Sequence, residues 1–399
     1  MPLAARAQGM SRVVVVGGGF GGASAARALR RLDPAVDVTL VEPSAVYTAC
    51  PFSNAVVAGM REIGGQRFTY AGLAASGVRV VAQAAAAIEA RRVVLADGTG
   101  LAFDRLILSP GIDLRWDAIH GYTESAAERM PHAWKAGGQT LLLRDRLAAM
   151  ADGGLMVMSV PGNPYRCPPG PYERASLIAH FLKMHKPRAK LIVLDAKDAF
   201  SKQRLFQAAW KAMYPNLEWV GLSAGGKVTD VDAGGGGVRT EFAAYAPDVA
   251  NIIPPQRAGA IAATAGVADR TGWCPIDPVS FESRLRPGIH VIGDAAIGGG
   301  MPKSAFAANA QAKVCAQAVV DLLAGRPPGE PRLLNTCYSL VAPGYGISVA
   351  GVYRPANGLL TDIEGAGGTS PLDAPPETRA EEARYAESWF KTITSEAFG

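Results

Sequence analysis

Arg12-Val-Val-Val-Val16 followed by Gly17-Gly-Gly-Phe-Gly-Gly22 is the stretch on which the reading of this chain turns. Four consecutive β-branched residues predict a strand buried on both faces. The glycines end it, and the Ala-rich segment Ala23–Leu32 predicts a helix. Asp37–Val41 predicts the next strand, closed by Glu42 about 20 residues past Gly22. The result is a β-α-β unit with G-x-G-x-x-G at its first turn. Gly17 permits the tight turn, Gly19 lets a pyrophosphate approach the backbone, and Gly22 packs helix on strand. The helix N-terminus favours the phosphates, and the Glu42 carboxylate can accept from ribose hydroxyls.

Downstream, strands are predicted at 78–82, 92–95 and 105–109, with the Asp97-Gly98 turn between Leu95 and Leu101. A second α/β segment opens with a strand at 155–160, a loop at 161–171 and a helix at 172–186. Further strands are predicted at 191–195, 218–222, 227–232 and 288–293, with a turn at 234–237. A long helix is predicted over 303–324, and the Pro-rich 327–331 marks a boundary. The tail holds strand-like pieces, a loose 365–376 segment and a polar closing helix over 377–391.

Leu285–Ala296 reads LRPGIHVIGDAA, and GGGMPKSAFAANAQA follows Ile297. A strand ending in Gly-Asp before a helix resembles the second FAD motif of the disulfide-reductase-like flavoproteins. It puts Asp294 beside the phosphate–ribityl region and the following helix N-terminus toward the isoalloxazine. The expected fold is therefore α/β, with two Rossmann-like domains of that type and a C-terminal α+β interface domain. The expected divisions are an arm at 1–10, a discontinuous FAD-binding domain at 11–115 and 246–326, a second Rossmann-like domain at 116–245, and a C-terminal domain at 327–399. The second domain lacks G-x-G-x-x-G. Its loop, PGNPYRCPPGPYERAS, carries prolines at 161, 164, 168, 169 and 171, which remove amide donors a pyrophosphate would use. This argues against a nicotinamide cofactor.

Composition bounds the rest. Of the 399 residues, 49% are hydrophobic and 19% charged, too apolar for a disordered chain, and no run of about 20 apolar residues exists to span a bilayer. A formal charge of +5, spread without a basic run, argues against nucleic-acid binding and leaves a docking face for an acidic partner. Five His and five Cys without C-x-x-C spacing argue against zinc or c-type haem in this chain. Met1–Gly9, MPLAARAQG, reads either as the cleavage-site end of an export signal whose charged and apolar regions are missing, or as a floppy cytoplasmic N-terminus.

Three cysteines stand in informative places. Cys50 follows Glu42 closely, where the chain passes the flavin, as a redox-active thiol or a bond to the ring. Cys167 lies in the proline loop and Cys337 in the tail; each is half of a pair across space or a small buried hydrophobe. Cys274 and Cys315 read as buried hydrophobes.

The strings GGGFGG, YTACPFSN, YRCPPGPYERAS, CPIDPVSFES, IGDA and NTCYSLV resemble the flavoprotein subunit of flavocytochrome c sulfide dehydrogenase. CPPGPYER is the most specific of them. The resemblance implies FAD bonded through the Cys50 sulfur to the flavin 8-methyl carbon, and a redox disulfide between Cys167 and Cys337 over the ring. It also implies Glu173 near the reaction centre. Pro51 after Cys50 departs from relatives lacking proline there.

The implied reaction is attack of hydrosulfide on the disulfide, passage of two electrons to FAD, and release of sulfane sulfur or polysulfide. Electrons then leave singly to haem c on a separate cytochrome c subunit, the partner in a periplasmic heterodimer. Glu173 reads as a proton carrier or a helix-start acid, and Lys303 as a stabiliser of reduced flavin or a solvated lysine. Tyr338, Tyr345 and Tyr353 read as part of the docking face or as core. The rival functions are a sulfide:quinone oxidoreductase, an NADH-dependent reductase, and a non-catalytic flavin-bearing sulfur-carrier or assembly subunit. The polar 377–391 segment disfavours the first, for want of a membrane-facing apolar helix.

Overall fold

The structure, a computed structural model, describes residues 10–399. The proposed export-signal remnant at residues 1–9 lies outside them. Arg12–Val16 is the central strand of a five-stranded parallel sheet. Asp37–Val41 and then Arg79–Val81 lie on one side of it, Arg105–Leu108 and then Ile289–Val291 on the other. Val13, Val14, Val15 and Val16 are all buried, as a strand covered on both faces requires. The adjacent helix runs Phe20–Leu32 and packs against Ala305–Leu323. Asn309 Nδ2 donates to Ser24 Oγ between them at 2.8 Å. The first domain is thus assembled from both ends of a discontinuous segment.

The second unit is a four-stranded parallel sheet ordered Leu217–Val220, Lys190–Asp195, Leu155–Val160, Val249–Ile252. This corrects the boundary expected at 245. Met156 pairs with Val249 and Ser159 with Ile252, so the unit extends to Ile252. The chain leaves and re-enters the first domain through an antiparallel ribbon, Ile112–Leu114 against Gln256–Ala258.

Several predicted ends move by one or two residues. The helix after the proline loop starts at Gly170 and ends at His185, with Pro171 in its first turn, where a missing N–H costs no helical bond. The strand predicted at 218–222 ends at Val220, and Leu222–Ala224 is a 3₁₀ turn. The helix predicted from Lys303 begins at Ala305, capped by Ser304, whose Oγ accepts from Ala307 N at 3.0 Å.

The C-terminal segment is a long hairpin, Leu333–Ala342 with Tyr345–Ala356, extended by Leu359–Asp362 and Gly368–Thr369. Pro343-Gly344 turns it, Gly344 taking φ +68°. The closing helix is longer than predicted, Pro376–Phe398 rather than 377–391. Its second half is amphipathic: Phe390, Ile393, Ala397 and Phe398 are buried. Phe398 stacks on Tyr47 at 5.1 Å and on Phe68 at 5.3 Å between ring centroids. The apolar face of this helix is therefore spent on the first domain. Among the described residues, no helix is long and apolar enough to cross a membrane. Tyr353 is buried, while Tyr338 and Tyr345 are half-buried. Cys274 and Cys315 are fully buried.

Candidate functional site

One cavity of about 460 Å³ runs from the glycine turn to the C-terminal hairpin. At one end, Gly17 takes φ +97°, and a Cβ there would collide with the Ser109 carbonyl. A Cβ on Gly22 would strike the Gly17 carbonyl, so these two glycines answer to the protein's own packing. Gly19 does not: the nearest atom to a Cβ there is the Tyr47 ring at 3.5 Å, an ordinary contact. Its smallness leaves the backbone open to the cavity, where a pyrophosphate would approach. Glu42 is preset by two amides, Gly18 N donating to Oε2 at 2.8 Å and Ser44 N to Oε1 at 2.9 Å. Its remaining lone pairs are available to hydroxyl donors.

Asp294 lines the same cavity just past the strand Ile289–Val291. Its Oδ1 is buried with no hydrogen-bond partner. Burial raises its pKa, against the pull of Arg166 and Lys303. A buried carboxylate oxygen without a partner is costly. A ligand hydroxyl, such as that of a ribityl chain, would satisfy it. The open Gly19, the preset Glu42 and the orphan Asp294 oxygen fit FAD.

Three cysteines also line this cavity. Cys50 comes from the loop between Val46–Thr48 and Ser53–Val57, Cys167 from the proline loop, and Cys337 from the first strand of the hairpin. All are thiols in the structure. Cys167 takes a left-handed backbone, φ +57°, unusual for a residue with a Cβ. Its loop is pinned: Cys167 N donates to Lys303 O at 2.7 Å, and Gly170 N to Cys167 O at 2.8 Å. Burial pushes its pKa well up, and Cys337 and Glu173 add to the shift, which places the two cysteines and the carboxylate within electrostatic reach of one another. Burial also raises Cys337, opposed by Lys202, Asn335 and Ser304. Asn335 Nδ2 lies 3.3 Å from the Cys337 sulfur.

Glu173 stands in the first turn of the Gly170–His185 helix and lines the cavity. Asn54 Nδ2 donates to its Oε2 at 2.7 Å and Leu340 N to its Oε1 at 2.8 Å. Burial nevertheless raises its pKa, so this carboxylate is easier to protonate than an exposed one. A group of that kind, beside two thiols, can take and return a proton.

Lys303 departs from the expectation. Its side chain is not on the cavity wall; Nζ donates to Asp294 O at 2.8 Å and Ala296 O at 2.7 Å, and sits 4.0 Å from the Trp273 ring centroid. The ammonium turns back to hold the Asp294 loop through two carbonyls and an indole face. Its main-chain carbonyl, by contrast, helps fix Cys167.

The cations that do surround the sulfur end were missed in the sequence. Arg166 and Arg174 line the cavity. Arg174, 1% exposed, binds Asn54 Oδ1, Asn251 Oδ1 and the carbonyls of His132 and Ala133. Lys202 lies behind the hairpin. Trp134 and Trp389 add indole walls, Trp389 stacking on Phe306 at 6.1 Å. Arg166 and Arg174 flank Cys167 and Glu173 in sequence, which was a usable signal; nothing in the run around Lys202 marks it.

In the second unit, Asp195 ends the strand Lys190–Asp195, where a dinucleotide-binding unit would carry its ribose acid. It is fully buried and bound by its own chain. Tyr172 OH donates to it at 2.7 Å, Trp219 Nε1 at 3.0 Å and Lys197 Nζ at 2.6 Å. Phe200 stacks on Tyr172 at 3.6 Å. The Asp195 carboxylate is thus already satisfied by the chain's own aromatic and lysine side chains.

Comparison with known proteins agrees with this geometry. Residues 11–136 match the family described as pyridine nucleotide-disulphide oxidoreductase. Residues 140–254 match "Sulfide dehydrogenase (flavocytochrome c) flavoprotein chain, central", and residues 329–398 match "Flavocytochrome c sulphide dehydrogenase, flavin-binding". A sulfide dehydrogenase (flavocytochrome c) flavoprotein chain from Chlorobaculum thiosulfatiphilum is 69% identical over 48 residues, 12% of this chain and 100% of that sequence. The solved sulfide:quinone oxidoreductase of Aquifex aeolicus superposes with a TM-score of 0.77 at 17% identity, over 97% of this chain and 92% of that one. A ferredoxin reductase of Rhodopseudomonas palustris gives 0.64 at 16%, over 95% and 99%. At these identities the likeness is one of fold. The chain is an oxidoreductase-type flavoprotein built to hold FAD.

Proposed function

The chain belongs to the family of the flavoprotein chain of flavocytochrome c sulfide dehydrogenase, and from that premise we propose that it oxidises hydrosulfide at a Cys167–Cys337 redox pair. The observation that carries the reading is the convergence of Cys167, Cys337 and Glu173, from three elements, on the cavity whose other end is the FAD cradle.

In the oxidised form the two sulfurs are bonded. Hydrosulfide attacks one, the S–S bond breaks, and the other sulfur leaves as a thiolate while the attacked cysteine carries a persulfide. Over the cycle, hydrosulfide gives up two electrons and one proton and becomes sulfane sulfur, free or within a polysulfide. FAD, when bound, accepts the two electrons and passes them on one at a time. The chain's own residues do the rest. Glu173, its two oxygens held by Asn54 and Leu340, takes the proton. The Pro161–Pro169 loop and the Lys303 carbonyl fix Cys167. Trp134 and Trp389 wall the cavity. Gly19, Glu42 and Asp294 hold the cofactor, on the turn that Gly17 and Gly22 permit.

The electron acceptor is a separate cytochrome c subunit carrying the haem, and the complex works in the periplasm. Cys50, on the cavity wall, is the point of covalent attachment to the flavin. The engagement of Asp195 by Tyr172, Trp219 and Lys197 supports sulfide rather than NADH as the reductant.

The test is anaerobic addition of sulfide to purified protein. Flavin bleaching is expected, followed by reduction of added cytochrome c in preference to a quinone. Cys167→Ser and Cys337→Ser should each abolish bleaching while retaining FAD. Near-normal turnover in either variant refutes the pair's role. Intact mass of denatured protein should include FAD, and Cys50→Ala should lose it.

A further inference from the structure

Lys202 precedes the helix Gln203–Met213 and takes a left-handed backbone, φ +62°. Its side chain runs out of the second unit into the C-terminal hairpin and is 8% exposed. Nζ donates to Cys337 O at 2.8 Å, Ser339 Oγ at 2.8 Å and Ile347 O at 3.3 Å. All three acceptors are neutral. Among the described residues no carboxylate makes an ion pair with it. A buried ammonium without a countercharge is expensive, and carbonyl dipoles alone do not cancel it.

The ionisable groups that act most strongly on its charge come from four different segments. They are Cys337 on the hairpin, Glu173 on the Gly170–His185 helix, Cys167 in the proline loop and Glu382 on the closing helix. Both carboxylates are already engaged. Glu173 accepts from Asn54 and Leu340, and Glu382 from Ser348, Ser370 and Arg379. The Cys337 sulfur belongs to the same residue whose carbonyl Lys202 holds, and the other groups that favour its anion, the Asn335 amide and the Ser304 hydroxyl, are neutral.

We propose that Lys202 is the missing half of a charge pair: it holds negative charge on the Cys337 sulfur whenever the Cys167–Cys337 link is opened. Two electrons open that link into two sulfurs, which together take up a single proton if one stays anionic. Lys202 selects Cys337 as the anion. The inference rests on the redox-pair reading, but concerns the opened form, which exists without turnover. Burial lowers the Lys202 pKa to about 8, so the cation is present at neutral pH and is lost as pH rises past that value.

The test is alkylation of the FAD-loaded, dithiothreitol-reduced protein by iodoacetamide across pH, read cysteine by cysteine from peptide masses. In the unaltered protein Cys337 should react before Cys167 as pH rises; the reverse order overturns the proposal, whether or not any variant folds. Lys202→Met should move the Cys337 midpoint up by about one pH unit, slowing its alkylation about tenfold at neutral pH. Lys202→Arg should restore most of that rate. An unmoved midpoint in Lys202→Met, or equal slowing in Lys202→Arg, refutes a charge effect. Separately, sulfide bleaching the flavin of Cys167→Ser would sink the proposed reaction while leaving these midpoints intact, so the two failures are distinguishable.

Discussion

Gly170 opens the helix that carries Glu173, and its α-hydrogen faces the Cys167 sulfur. A Cβ at this position would lie 2.9 Å from Cys167 Sγ, 3.0 Å from Trp134 Cη2 and 3.3 Å from Cys167 Cβ. Carbon contacts settle at about 3.5–4.0 Å, so the methyl of Gly170→Ala arrives at least about 0.5 Å too close to both walls. Cys167 has little room to yield, because its amide and carbonyl are both tied down. Overpacking of this kind costs about 1–3 kcal/mol, which outweighs the gain of up to about 1 kcal/mol from replacing a helical glycine. The disulfide geometry is more sensitive still, since S–S is fixed near 2.05 Å. Gly170→Ala should therefore lower the urea midpoint by the equivalent of about 1–2 kcal/mol and slow sulfide-driven bleaching at least about tenfold. Gly138→Ala is the control. It also opens a helix, but nothing lies within 4 Å of its Cβ, so it should be neutral or mildly stabilising, with full activity. If the two variants behave alike, the packing argument at Cys167 is wrong.

Asp294→Ala removes the orphan oxygen at the cofactor cavity, and the flavin content of purified protein should fall severalfold, with Asp294→Asn intermediate; unchanged loading would show that the oxygen has no ligand partner. His132 is buried beside Arg174, Lys135 and Arg166, and burial and then these cations bring its pKa down to about 3 from 6.5. Between those values only the unfolded chain binds the proton, so its contribution to stability is full above about pH 6.5 and is lost as pH falls toward 3, by about 1.4 kcal/mol per pH unit. Urea midpoints taken from pH 7 to pH 4 should fall, and a flat profile contradicts the buried neutral imidazole. Lys303→Met deletes two hydrogen bonds and the contact with Trp273, and should cost about 2–3 kcal/mol of stability. Its flavin reduction potential should stay close to that of the unaltered protein; a large change would return Lys303 to the flavin.

The cofactor end was legible because its residues are fixed by backbone demands. Gly17 and Gly22 answer to close contacts within the strand–turn–helix, and Glu42 and Asp294 sit at strand ends, where the chain sets side-chain direction. The sulfur end was partly legible. The spacing of Cys50, Cys167 and Cys337 gave their segments but not their convergence, which depends on how the hairpin docks. Lys303 and Lys202 were beyond reach for a different reason. A lysine has four rotatable methylenes, and its ammonium goes where acceptors are, so Lys303 turned from the cavity and Lys202 reached into another domain. Val249–Ile252 escaped notice because a four-residue strand beside prolines has no period to read. The closing helix was cut short at Lys391 because its charged first half hides the later spacing of Phe390, Ile393 and Ala397.

That helix has a bearing on biogenesis. Phe20 and Tyr47 emerge early from the ribosome, yet the ring that locks them together is Phe398. Ala386 and Trp389, which wall the cavity, come from the same late segment. A nascent chain can form the glycine turn and its parallel sheet long before translation supplies this wall. The cavity thus lacks part of its wall until this helix docks.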